Sequence, residues 1–109
     1  MREIKFRAWD KEFKQFSDMA LNYKIADINF YTDYEWMQYT GLKDKNGKEI
    51  YEGDVILVIE WNRKYNVVFE RGMFKASGST TFSLVTATNG ELSCQVIGNI
   101  YENPELLKN

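Results

Sequence analysis

Residues Thr40–Asp54, TGLKDKNGKEIYEGD, hold the densest set of groups that could do chemistry. Gly41 and the Gly47-Lys48 pair trace the outline of a phosphate-binding loop. Such a loop needs four residues between its first Gly and a Gly-Lys-Ser/Thr, and it must open a helix whose N-terminus holds the anion. Here five residues separate Gly41 from Gly47, and Glu49 follows Lys48. Glu49 has no hydroxyl for magnesium, and its charge repels phosphate. The chain then runs EIYEGDVILV, which predicts a strand. A hairpin explains the stretch better than a phosphate cradle does.

The same stretch carries Asp44, Glu49, Glu52 and Asp54. Two carboxylates are enough for acid–base work on a glycosidic bond. That chemistry needs a cleft, and a chain of 109 residues has little room for one. The acids alternate with Lys43, Lys45 and Lys48, as a solvated hairpin does. Calcium-loop spacing is absent. The chain has no His and one Cys, Cys94. This removes Ser-His and Cys-His nucleophile pairs and His-containing zinc sites. We therefore assign no catalytic residue, no cofactor and no metal site, and we expect a protein that is not an enzyme.

Binding chemistry has more support. Trp61, Arg63, Lys64 and Tyr65 combine rings and cations at an expected hairpin tip. Lys5, Arg7 and Trp9 do so on the outer face of an expected first strand. Small barrels hold single-stranded nucleic acid with such groups, by stacking and phosphate contacts. Lys5, Arg7, Trp61, Arg63 and Lys64 are thus candidate nucleic-acid contacts. The formal net charge of -2 opposes this, because no overall field attracts phosphate.

The elements that must position these groups read as follows. Residues 2–9 alternate, with Ile4, Phe6 and Ala8 facing inward and Glu3, Lys5 and Arg7 facing water. Phe13 and Phe16 begin a return strand. Residues 17–36 predict irregular structure with a short strand. Asn46-Gly47 predicts a type I′ hairpin, since both residues accept positive φ. Gly53-Asp54 sets the chain into the next strand, with Asp54 bonding to backbone two residues on. Val55–Ile59, VILVI, is apolar throughout and belongs in the middle of a sheet or under a covering loop. WNRKYN turns the chain and VVF returns it. Thr80–Thr88, TTFSLVTAT, is rich in β-branched residues and predicts a strand. It is followed by Asn89-Gly90 and a partner strand, ELSCQVI, whose inner face carries Leu92, Cys94 and Val96. That makes Cys94 a buried structural thiol. Asn103 caps a short helical stub with Pro104 at its first position, and Leu106 and Leu107 dock it on the barrel or on another subunit.

The result is an all-β, mainly β, single domain over 1–109. It is a small open β-barrel of six to eight short strands with a short C-terminal helical stub. Hydrophobic residues at 44% and charged residues at 28% fit a globular chain without long disorder. Aromatic residues reach 16%, mostly as core, with some available for an interface. The opening residues lack the apolar core of a signal peptide, and no run of 18 apolar residues predicts a membrane span. The single Cys fits a reducing compartment.

Three blocks carry a resemblance. MREIKFRAWDKE (Met1–Glu12), MQYTGLKDKNGKEIYEGDVI (Met37–Ile56) and VIGNIYENPELL (Val96–Leu107) resemble the YopX family of phage and prophage proteins. Thr40, Gly41, Leu42, Asp44, Gly47, Tyr51, Gly53 and Asp54 match the family's motif, in a role the resemblance does not supply. It implies a small, mainly β, phage-derived protein in the cytoplasm of a bacterial host, and it brings no activity. The expected function is that of a non-enzymatic accessory protein that binds a protein partner or itself as a homo-oligomer. A single-stranded nucleic-acid-binding barrel is the alternative, with no membrane partner in either case.

Overall fold

The computed structural model of the chain describes residues 5–11, 14–16 and 34–107. Within them run nine strands: β1 (Phe6–Asp10), β2 (Gln15–Phe16), β3 (Tyr34–Lys43), β4 (Glu49–Tyr51), β5 (Asp54–Val58), β6 (Arg63–Glu70), β7 (Met73–Ser77), β8 (Thr81–Ser83) and β9 (Cys94–Asn99). They form a four-stranded sheet, β2-β1-β3-β4, and a five-stranded half-barrel, β8-β7-β6-β5-β9. Every pairing is antiparallel. The mainly β reading is correct. The count exceeds six to eight because β2, β4 and β8 have two or three residues each. Alternation cannot be read over so short a run.

VILVI sits where its two apolar faces require. β5 lies between β6 and β9. Ile56 and Val58 project into a core with Tyr65, Val67, Phe74, Ala76, Cys94 and Val96. Leu84 and Ala87 join that core, and so does Ile50 from β4. Each large side chain buried there contributes about 1.5–3 kcal/mol. Trp9 of β1 stacks on Tyr101, just beyond the end of β9, at 6.1 Å.

Four local expectations are corrected. First, the Asn46-Gly47 turn is not type I′. Only Gly47 has positive φ, at 82°, while Lys45 and Asn46 do not. The Gly47 N–H donates to Asp44 O at 3.0 Å, and Asp44 N–H donates to Lys48 O at 2.9 Å. This is a type I-like turn closed by a left-handed Gly, the three-residue hairpin solution. The positive-φ pair is instead Arg71-Gly72, at 52° and 79°, between the paired residues Glu70 and Met73.

Second, TTFSLVTAT is a strand only over Thr81–Ser83. Leu84–Ala87 form a 3-10 turn. Its i, i+3 spacing sends Leu84 and Ala87 inward and leaves Val85 exposed. Third, ELSCQVI does not pair with that strand. β9 pairs with β5, through Val58↔Cys94 and Ile56↔Val96. Burial of Cys94 and Val96 is as expected. Fourth, Arg63 and Lys64 lie in β6, because the turn ends at Asn62 with φ 52°.

β3 takes in residues 34–36, the end of the stretch read as mostly irregular. Ile4, Phe13 and residues 17–33 lie outside the described residues. The C-terminal stub is a 3-10 turn, Pro104–Leu107, with Leu106 N–H donating to Asn103 O at 3.0 Å. It packs on Gly98, where an added Cβ would stand 2.7 Å from Leu106 Cδ1.

Candidate functional site

Two regions collect the candidate residues: the motif stretch and a groove beside β6. The motif stretch comes first. Thr40 on β3 donates its hydroxyl to Ile50 O at 2.7 Å and accepts Leu42 N–H at 3.1 Å. Gly41, at φ 84°, lies where the β3–β4 register shifts between Tyr39 and Lys43. Asp44 is buried at the turn. Its Oδ1 accepts the N–H groups of Asn46 and Lys48, at 2.8 and 2.9 Å. Its Oδ2 accepts Val96 N–H at 2.9 Å, and Lys45 N–H donates to Cys94 O at 3.0 Å. Val96 and Cys94 belong to β9, the edge of the half-barrel. The hairpin tip therefore covers a sheet edge that would otherwise offer free backbone groups.

Gly53 and Asp54 form the second part of the motif. Gly53 has φ 89°, and a Cβ there would stand 3.1 Å from Met37 Sδ. Its N–H donates to Val67 O and its carbonyl accepts Ile100 N–H, which sews three segments together. Asp54 is 1% exposed. Its Oδ2 accepts Tyr51 N–H at 2.8 Å, three residues upstream rather than two downstream. Its Oδ1 accepts from Arg7 Nη2 of β1. Arg7 lies with its guanidinium 4.5 Å from the Phe16 ring centre and 4.6 Å from that of Tyr51. Its side chain is 19% exposed, so Arg7 is not on a wet face. Burial pushes the Asp54 carboxyl above its usual range, and the Arg7 charge opposes that shift.

Glu49 pairs with Lys5 at 2.5 Å and accepts the Tyr51 hydroxyl at 3.3 Å. Burial first, then Glu49, raises the Tyr51 phenol above its ordinary value. Asp44, Glu49 and Asp54 thus each serve a different set of partners. Among the described residues, no three His, Cys, Asp or Glu side chains gather where a metal ion could be held.

The groove has a cavity volume of about 730 Å³. Asn62, Arg63, Lys64 and Asn66 form one side, from the start of β6. Ser77, Gly78 and Ser79 follow from the end of β7, and Leu106 and Leu107 close it from the C-terminal turn. Arg63 Nη1 donates to Ser79 Oγ at 3.2 Å. Neither Arg63 nor Lys64 is ion-paired with a described residue.

The structure divides the expected nucleic-acid contacts. Arg63 and Lys64 line the groove. Lys5, just before β1, is held by Glu49 of β4, and Arg7 of β1 by Asp54 of β5. Trp9 is buried. Trp61 is 45% exposed, but its ring packs edge-on against Phe82 at 5.4 Å and Tyr65 at 6.2 Å, toward the core. Tyr65 itself is buried. Sequence reasoning missed Asn66, Ser77 and Ser79, because their meeting depends on the β6–β7 register Asn66↔Ser77.

No curated protein matches the chain. A solved structure does: the crystal structure of protein EF1440 from Enterococcus faecalis is 28% identical, with a TM-score of 0.72. The likeness covers 99% of this chain and 100% of that one. The family model described as YopX protein matches residues 14–108. The central and C-terminal blocks fall inside that match, and Met1–Glu12 precedes it. No helix among the described residues is long and apolar enough to cross a membrane. With nearly its whole length matched by that model, the chain belongs to the YopX protein family.

Proposed function

We propose that this chain is a non-enzymatic accessory protein of phage or prophage origin that binds a protein partner in the groove beside β6. Its setting is the cytoplasm of a bacterial host. The carrying observation is the groove itself. It combines two cations free of ion pairs with described residues and two leucines, one of them, Leu107, 40% exposed. Of these groups, Arg63 is of a type enriched at interfaces and among the residues that carry their binding energy. The motif stretch supports the same reading from the other side. Its buried carboxylates are engaged in turn, edge and sheet contacts.

A photo-crosslinking residue at Ser79, with Glu91 as the remote control position, tests the reading in bacterial lysate. We expect a protein adduct from Ser79 and none from Glu91. An adduct of twice the chain mass makes the partner a second copy. Absence of any protein adduct at Ser79 overturns the reading.

Single-stranded nucleic acid is the second reading, favoured by exposed Trp61 two residues from Arg63. Gel-shift titration at two salt concentrations separates it, because phosphate contacts weaken steeply with salt.

A further inference from the structure

We infer that the groove beside β6 takes an acidic peptide segment that carries an apolar side chain, an inference that rests on the binding reading above. Four observations combine. The lining holds Arg63 and Lys64, and among the described residues no Asp or Glu lines it. The whole chain has formal net charge -2, so this is a local cationic site on an acidic protein. Arg63 is held at one nitrogen by Ser79 Oγ, which leaves the rest of the fork for a ligand. A planar carboxylate fits that fork, with two parallel N–H···O bonds. Asn62, Asn66 and Ser77 add neutral donors and acceptors along the same wall.

The apolar part of the lining selects between macromolecules. Leu106 and Leu107 line it, and among the described residues no aromatic ring does. Single-stranded nucleic acid draws much of its affinity from bases stacked on rings. Trp61 could offer a ring, but it is not a lining residue and it packs against Phe82 and Tyr65. An apolar peptide side chain against the leucines, with carboxylates toward Arg63 and Lys64, uses both parts of the lining. The volume of about 730 Å³ accommodates a few residues of extended chain.

The test uses the full chain and fluorescence anisotropy. The probes are a labelled octapeptide of Asp and Glu with one central Leu, its Asn/Gln isostere, and a dT oligonucleotide. The expected result is saturable binding of the acidic peptide and binding about tenfold weaker for the isostere. Arg63→Gln and Lys64→Gln each weaken the acidic peptide by about tenfold. Leu107→Ser weakens it as well. Arg63, Lys64 and Leu107 are exposed, so unchanged melting curves confirm that the variants are folded. Equal binding of peptide and isostere, or tighter binding of the oligonucleotide, overturns the inference. So does no binding of the acidic peptide. If the Ser79 adduct persists in that case, the binding reading stands and only the acidic occupant is wrong.

Discussion

Arg7 and Asp54, 47 residues apart, form an ion pair that ties the four-stranded sheet to the half-barrel. Arg7 comes from β1 and Asp54 opens β5. The aromatic rings of Phe16 and Tyr51 close over the guanidinium. A buried pair of this kind is costly to break on one side only, because the remaining charge has no compensation.

Arg7→Met should therefore destabilise the fold by about 3–5 kcal/mol at pH 7. Adding Asp54→Leu should recover part of that loss. Urea unfolding of both singles and the double variant measures the coupling. A loss below about 1 kcal/mol for Arg7→Met would show that the pair is not structural.

The same pair predicts a pH dependence. Burial raises the folded-state value of Asp54 above its ordinary 3.8, despite Arg7. The folded state then binds the proton more tightly than the unfolded chain does. Its contribution is fully present below the unfolded value and is lost as pH rises through the raised folded value. Without Arg7 that value climbs further. The deficit of Arg7→Met should be small at low pH and should grow toward neutrality. Unfolding curves at a series of pH values check this, and a deficit independent of pH contradicts it.

Asp44→Ala removes acceptors for the N–H groups of Asn46, Lys48 and Val96 at one stroke. Bonds to a charged acceptor are worth about 1.5–3 kcal/mol each, so a loss of at least about 3 kcal/mol is expected. The variant should also uncover the β9 edge. We expect concentration-dependent self-association by light scattering that the parent chain does not show to the same degree. Asp44→Asn turns a donor toward Val96 or toward the turn, and should fall between the two.

Gly47 and Gly53 both have positive φ, yet their surroundings differ. A Cβ at Gly47 meets nothing within 4 Å, whereas one at Gly53 meets Met37 Sδ at 3.1 Å. Gly47→Ala should cost about 1–2 kcal/mol from backbone strain alone. Gly53→Ala should cost more, since Met37 is buried and must shift. Thermal melts order the two variants, and a reversed order would contradict the packing argument.

Cys94 is buried, and its thiol is pushed up to about 11, first by burial and then by Asp44 and Glu60. An aromatic disulfide reagent at pH 8 should leave it unreacted in the folded protein and titrate one thiol after denaturation. The sign of the linkage is again that of a raised acid. The contribution is present below about 9 and is lost as pH rises toward 11, so stability should drop by roughly 2 kcal/mol across that window.

Much of the architecture was legible. VILVI is apolar on both faces, which suits a central strand or one under a covering loop, and β5 is central. VVF marked the return strand that became part of β6, and the lack of His confined the chemistry that could be proposed. Turn identity was less legible. Asn46-Gly47 has the composition of a type I′ pair, but the Asp44 carboxylate bonds to Asn46 N–H and Lys48 N–H and to β9, and Gly47 alone takes positive φ. TTFSLVTAT has strand propensity throughout. Burial of Leu84 and Ala87 over the core decides for a 3-10 turn after Ser83, because packing outweighs a preference worth about 1 kcal/mol.

Local pattern thus determined the β class, the central strand and the places where the chain turns, because each depends on residues close in sequence. Tertiary structure alone decided what the charged residues do. Lys5 and Arg7 alternate as solvated strand residues should, but Glu49 and Asp54 lie opposite them in the folded chain. Arg63 and Lys64 have the same charges, but they line a groove with two serines and two leucines, and among the described residues no carboxylate lines it. Whether a cation is a strut or a contact depends on what stands across from it, and distances of 44 and 47 residues in sequence set that.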